Sequence, residues 1–454
     1  MDRPWWMAMV AALALGGCTT SPHGENDEHD GEQETADPTG SESESTGDLP
    51  DDGIDAHVEC GNTKALAPDA NELAVNAEGD ASVGLALLGR LGEQSDNVLL
   101  SPLSLRTAFG QVYAGTSGTS RTEIGKVFAL DALGDRTHVV LGGISQTLET
   151  RNAAETEYEP ELVFRPANRS FFDTRFQDGV DPDWMALVQE SYGVCFEYFD
   201  LNRDHAATLK HINGWVADQT NDLIPDLVKG LPDQVDLVLV NALYFRASWG
   251  TAFEDSFTAP AQFTARNGDS VEVDTMRAPL LYASHAAGEG WEAVAIPYSD
   301  SRLEMVVVMP DLGTDAAFEA SLDGAALDGI FQALQPTIVD LSLPKFDIKS
   351  TWALRAALES LGMQAAFSNG SDFAGIAKGM LPIYEVFHDV AIAIDEKGTE
   401  AAAATAIVFG DEGGGEESPE FTVRVDRTFY VAIRDRDARS LVFFARIGNP
   451  KAAA

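Results

Sequence analysis

Positive charge is what this 454-residue chain has least of: 30 Lys and Arg stand against 73 Asp and Glu, for a formal net charge of −43. Gripping a phosphate backbone or an anionic membrane surface takes clustered Lys and Arg, so nucleic acid and membrane are both excluded as partners held by charge. Long apolar runs are missing as well. The one in MDRPWWMAMVAALALGGCTT covers about a dozen residues, too short to span a bilayer comfortably. Histidine is sparse and scattered; His23 and His29, the nearest to a cluster, lie in an acidic stretch that reads as a solvated tail, so no metal is expected. There is no G-x-S-x-G elbow, H-E-x-x-H, P-loop or dinucleotide fingerprint, and GTSGT from Gly115 to Thr119 lacks the second glycine of an elbow. No cofactor is expected.

What is present is a hydrophobic content of 44 %, enough for a sizeable buried core. The N-terminal run reads as an export signal over residues 1–17, and LGGC resembles a bacterial lipobox in which Cys18 takes the lipid. The expected location is the cell envelope or, with ordinary signal cleavage, the secreted fraction. From Thr19 to about Cys60 there is no Lys or Arg, and SESESTGDLPDD typifies a self-repelling tether that cannot bury enough to fold. That assigns 18–60 to anchor and tether and 61–454 to one domain. Export permits a Cys60–Cys195 disulfide, but the sequence leaves both a bridge and two free thiols open.

Within the domain, helices and strands mix without internal repeat, an α+β pattern. NVLLSPLSLRTAFGQVYAG offers Ser101 as N-cap and Pro102 at the first helical position, with Leu105, Ala108, Phe109 and Val112 at helical spacing. TLKHINGWVADQTNDLI and TWALRAALESLGMQAAF carry similar stripes, through Leu209, Ile212 and Val216 and through Leu354, Leu358 and Leu361. VDLVLVNALYF, EAVAIPY, LEMVVVMP, TIVDLSLPKFDI, FTVRVD, FYVAIRD and SLVFFARIGNP read as strands. The continuous run from Val235 to Val240 suggests one covered on both faces.

Taken in order, NVLLSPLSL, INGWVADQTNDLI, LVNALYFRASWGTAF, LSLPKFDI, LGMQAAFSNGSDFAGI, HDVAIAIDEKGTEAAAAT and FFARIGNP resemble the consecutive signature segments of the serpin family, from about Asp69 to Pro450. The resemblance implies a fold of three β-sheets and eight or nine helices with an exposed reactive loop, and a protease inhibitor rather than an enzyme. A serine or cysteine protease cleaves the loop and is acylated; the loop then enters the largest sheet as an extra strand and carries the enzyme with it. The implied partner is that protease, in covalent complex with a monomeric inhibitor.

The hinge of such a loop would be Glu396, Lys397, Gly398, Thr399, Glu400, Ala401, Ala402, Ala403, Ala404 and Thr405. Once inserted, Thr399, Ala401, Ala403 and Thr405 would point inward and Glu400 to solvent. Small side chains lose little rotamer entropy and need little space opened. Four alanines after Glu would in isolation also seed a helix. The family's scissile residue stands sixteen positions after the opening Glu, which leads from Glu396 to Glu412, with Gly413 after it. The segment up to Phe429 is about five residues longer than the family's pattern, with the surplus in GGGEE, so Phe409–Gly410 is the rival bond.

The family's sheet-opening shutter maps onto Ser101, Ser104, Asn241 and His388, and its breach onto Trp249 and Glu396. Ser101 and His388 could imitate a nucleophile and base, but a serine at a helix start followed by proline lacks the exposure a nucleophile needs. LDALGDRTHVV is poor in the basic residues of heparin-activated members, so no heparin binding is expected. The alternative reading is a non-inhibitory serpin that serves as a binding or scaffold module.

Overall fold

The computed structural model describes residues 54–154, 161–399 and 418–452. In chain order they form β1 His57–Cys60, α1 Ala70–Leu91, β2 Val98–Leu100, α2 Pro102–Gly115, α3 Gly118–Val127, α4 Thr137–Glu149, β3 Leu162–Asp173, α5 Pro182–Tyr192, β4 Cys195–Phe199, α6 His205–Gln219 and β5 Leu237–Ser248. There follow β6 Ala259–Thr264, β7 Ser270–Gly288, β8 Trp291–Pro297, β9 Leu303–Pro310, α7 Asp315–Ser321, α8 Gly324–Ala333, β10 Gln335–Pro344 and β11 Phe346–Ala353. The last elements are α9 Arg355–Ser360, β12 Phe387–Ile394, β13 Gly398–Thr399, β14 Phe421–Arg424, β15 Phe429–Asp435 and β16 Ser440–Ile447.

The first sheet runs β1-β4-β3-β5-β13-β12-β11. The second, β8-β9-β15-β16-β2, is joined to the third, formed by β14, β10, β7 and β6, because β7 is long enough to serve both: its Ser284–Gly288 end pairs with β8, while β10 pairs along Thr275–His285 and β6 along Ser270–Thr275. The architecture is α+β with nine α-helices among the described residues, as expected.

Local chemistry explains where α1 and α2 begin. Asp69 and Glu72 close a capping box on α1. On α2 the Ser101 Oγ accepts the Ser104 N–H at 3.2 Å, with Pro102 in the first turn. Gly115 to Thr119, the imitation elbow, is the boundary between α2 and α3. β5 is covered on both faces as its apolar run implied: Val240 and Ala242 pack beneath Ile212, Trp215 and Val216 of α6, whereas Phe245 and Ala247 face the core shared with the second and third sheets. A third apolar cluster joins α1, α2 and α5 through Leu87, Phe109, Val112 and Trp184.

Two expectations need correction. The stretch from Thr351 to Phe367 is not one helix. Thr351–Ala353 finish β11 by pairing with β12, and the α-helix is confined to Arg355–Ser360, ahead of Gly362 at φ +106°. Nor does the tether reach Cys60: His57–Cys60 is a strand, antiparallel to β4, with Cys60 opposite Cys195 and joined to it by a disulfide. Four residues gain sheet hydrogen bonds and a covalent tie there, which a composition rule for disorder does not weigh.

Candidate functional site

Between β5 and β12 lies the position of one strand, and its first two residues, β13, are described. Gly398 pairs with Ser248 and Thr399 with Ala247 on one side, and Thr399 pairs with Ile394 on the other, all antiparallel. Among the described residues β5 and β12 do not pair with each other. Gly398 is dictated by crowding. A Cβ there would sit 2.1 Å from the Ala247 carbonyl oxygen, closer than any real contact, and φ is +155°.

The turn into this position is tied down at each residue. Asp395 Oδ1 accepts the N–H groups of Lys397 at 2.8 Å and Gly398 at 3.2 Å. Asp395's own carbonyl takes the indole N–H of Trp249 at 2.9 Å, and the Lys397 carbonyl takes Trp249's backbone N–H at 2.8 Å. Trp249 is buried and stacks on Tyr298, ring centroids 4.8 Å apart, and the Tyr298 hydroxyl lies 2.7 Å from Thr399 Oγ1. Glu396 accepts from Lys345 Nζ and from Thr258 Oγ1, both at 2.7 Å. Burial alone would lift its carboxyl; the hydrogen bonds from Lys345 and Thr258 outweigh that and hold it below the usual range, while the same bond raises Lys345.

Lower in the sheet, Ser101, Ser104 and His388 meet. His388 Nε2 accepts the Ser101 backbone N–H at 3.1 Å, and Ser101 Oγ donates to the Val442 carbonyl at 2.7 Å while capping Ser104. An accepting Nε2 means a neutral imidazole protonated at Nδ1, and complete burial depresses its pKa to about 3. This is no catalytic pair: the imidazole faces the serine's backbone, the hydroxyl is spent on a carbonyl, and both residues are buried. Asn241 lies on β5 with its backbone opposite Asn168 of β3; of its side chain nothing is described.

The segment after α6 crosses toward β11 and β12. Lys229 Nζ stands 3.5 Å from the buried Asp389 of β12, and Lys349 of β11 donates to the Leu223 carbonyl at 3.2 Å. Burial raises the Asp389 carboxyl, with Lys229 pulling the other way. Among the basic residues near LDALGDRTHVV, Arg136 is already paired with Glu72 at 2.7 Å.

Trp249 and Glu396 thus meet at one end of the strand position, and Ser101, Ser104 and His388 meet farther along it. Glu400–Thr405, the bonds Phe409–Gly410 and Glu412–Gly413, and Cys18 lie outside the described residues. Asp395, Tyr298, Lys345 and Thr258 escaped the sequence reading, although Asp395 and Lys345 stood inside the quoted segments as polar residues flanking apolar strands. Among the described residues no cluster of His, Cys, Asp and Glu suits a metal ion, and no helix is long and apolar enough to cross a membrane.

Known proteins are similar over most of the chain. Residues 78–450 match the family model described as Serpin (serine protease inhibitor). Serpin A3-1 of Bos taurus is 32 % identical, covering 80 % of this chain and 86 % of its own. An uncharacterised serpin-like protein of Thermococcus kodakarensis is 29 % identical, with 80 % and 83 % covered. Among solved structures, human thyroxine-binding globulin complexed with its hormone has a TM-score of 0.71 at 26 % identity, covering 84 % of this chain and all of that one.

Proposed function

Because the chain belongs to the serpin family, we propose that it inhibits serine endopeptidases, with cysteine endopeptidases as a second target class, by acting as a suicide substrate. The observation that carries this is Thr399: it opens a strand between β5 and β12, and the residues after it in sequence, through Ala404, are small but for Glu400. The protease supplies the catalysis. Its hydroxyl attacks the Glu412 carbonyl carbon, the bond to the Gly413 nitrogen breaks, the amine takes a proton and leaves as a new N-terminus, and an ester to Glu412 remains. The freed strand then descends between β5 and β12 before water completes hydrolysis. About ten residues gaining hydrogen bonds on both edges, each worth about 1 kcal/mol net, supply the pull.

Sheet geometry favours Glu412 over Phe409. Continued residue by residue, the register of Thr399 with Ala247 brings Phe409 level with Leu237, the first residue of β5. A protease esterified to Phe409 would have to enter the foot of the sheet. Esterified to Glu412 it has Gly410 and Asp411 as spacer. The polar meeting point of Ser101 and His388 matches the same register, which brings Thr405 beside His388. Residues 18–60 before the first strand, with a lipid on Cys18, would tether the inhibitor at an envelope surface; a mature chain that begins at an unmodified residue would remove that part of the reading.

The test is incubation with a panel of proteases led by a glutamyl-specific serine enzyme. A denaturant-resistant adduct and a released peptide beginning at Gly413 are expected. A peptide beginning at Gly410 transfers the reading to Phe409. Cleavage without adduct across the panel replaces inhibition with a binding or scaffold role, which the likeness to a hormone complex makes the second reading.

A further inference from the structure

A largely apolar cavity of about 190 Å³, with Asp236, Glu385 and His388 also on its walls, lies at the foot of the same strand position. Leu105, Phe109 and Val112 of α2 line it, with Leu237 and Leu239 of β5 and Val386 just before β12. An apolar void of about 150 Å³ is enough to take benzene, so there is room for bulky side chains. The two faces of β5 are distinguishable here: Leu237 and Leu239 pack toward the α2 cluster, Val238 and Val240 toward α6. Thr399, whose hydroxyl reaches the buried Tyr298, shares the inward face with Ala247, so odd-numbered residues that follow it in register also turn inward. Residue 407 then falls beside Leu239 and residue 409 beside Leu237, and the sequence supplies Ile407 and Phe409, the first bulky side chains after the alanines.

We propose that this cavity is the receptor for the side chains of Ile407 and Phe409, an anchor at which the inserted strand comes to rest. The proposal builds on the insertion reading and deepens it. The alanine run lets the strand start without opening the core; the two large side chains arrive last and fill space already there. Val408 falls beside Val238 on the α6 face, away from Leu105, Phe109 and Val112.

Wild type and the Ile407→Ala/Phe409→Ala double variant are each melted before and after a single nick in the loop, with Val408→Ala as the control. Nicking raises the wild-type melting temperature, and the double variant falls short of that gain by about 5 °C or more. Its uncut form melts with the wild type, and Val408→Ala keeps nearly the whole gain. A double variant that gains as much as the wild type overturns the anchor while leaving insertion standing. A wild type that gains nothing on nicking overturns insertion itself, and the anchor with it.

Discussion

Thr399 has 2 % of its surface exposed, and its hydroxyl is matched to Tyr298 in a space otherwise built from Trp249, Phe245 and Ala247. Replacing it by Arg would demand burial of a guanidinium among these aromatic and small side chains, which costs several kcal/mol. Thr399→Arg is therefore expected to leave loop cleavage fast and to stall entry of the strand. The stoichiometry of inhibition, titrated against the protease that gives the adduct, should rise about tenfold or more, since each 1.4 kcal/mol of added barrier shifts the partition tenfold. A variant that traps as efficiently as wild type would show that Thr399 does not lead the strand.

At the scale of elements, legibility follows the range of the forces involved. Helix α2 was readable because Ser101 and Pro102 sit beside the turn they start. The one-strand opening was readable only through likeness to a family, since nothing local to EKGTEAAAATA says that β5 and β12 leave a place for it. The tie of Tyr298 to Thr399 spans 101 residues, and no pattern in either neighbourhood announces it. Strand β1 is the extreme case. HVEC follows an acidic run, and its order comes from Phe196, Glu197 and Tyr198 opposite it and from the disulfide to Cys195. That disulfide closes 135 residues of chain, so its loss should cost about 2–4 kcal/mol. Because β1 is separated from β5 by β4 and β3, Cys195→Ser is expected to lower the melting temperature by several degrees while the association rate with protease stays within about twofold. A collapse of inhibition at unchanged stability would place the sheet edge inside the mechanism.

For the molecule as a whole, acidity tests how the elements beside the strand position are held together. Two imidazoles are held neutral by desolvation: buried His388, depressed to about 3, and half-buried His138, beside the Tyr192 hydroxyl, depressed to about 4. In the unfolded chain both protonate near 6.5. Their contribution to stability is complete above that value and drains away as pH falls from 6.5 toward 4 and 3, about 2 kcal/mol for each by pH 5. Asp389 runs in the opposite sense, its burial-raised carboxyl favouring the fold in acid and losing that support as pH rises through its folded pKa. Glu396, held low by Lys345 and Thr258, withdraws its support only below the ordinary carboxylate range. Between pH 6.5 and 5 the histidines supply the loss of stability, opposed by Asp389 and by Glu149, whose carboxyl burial also raises, and His388 adds a specific failure: once protonated, its Nε2 can no longer accept the Ser101 N–H that ties α2 to β12. Melting temperature should fall steadily over that window, and loss of inhibitory capacity on standing should quicken with it. In His388→Gln an amide oxygen can accept the same N–H without titrating, so that variant should keep about half the slope, the His138 share. Retention of the full slope would mean that acid opens the protein elsewhere than between β5 and β12.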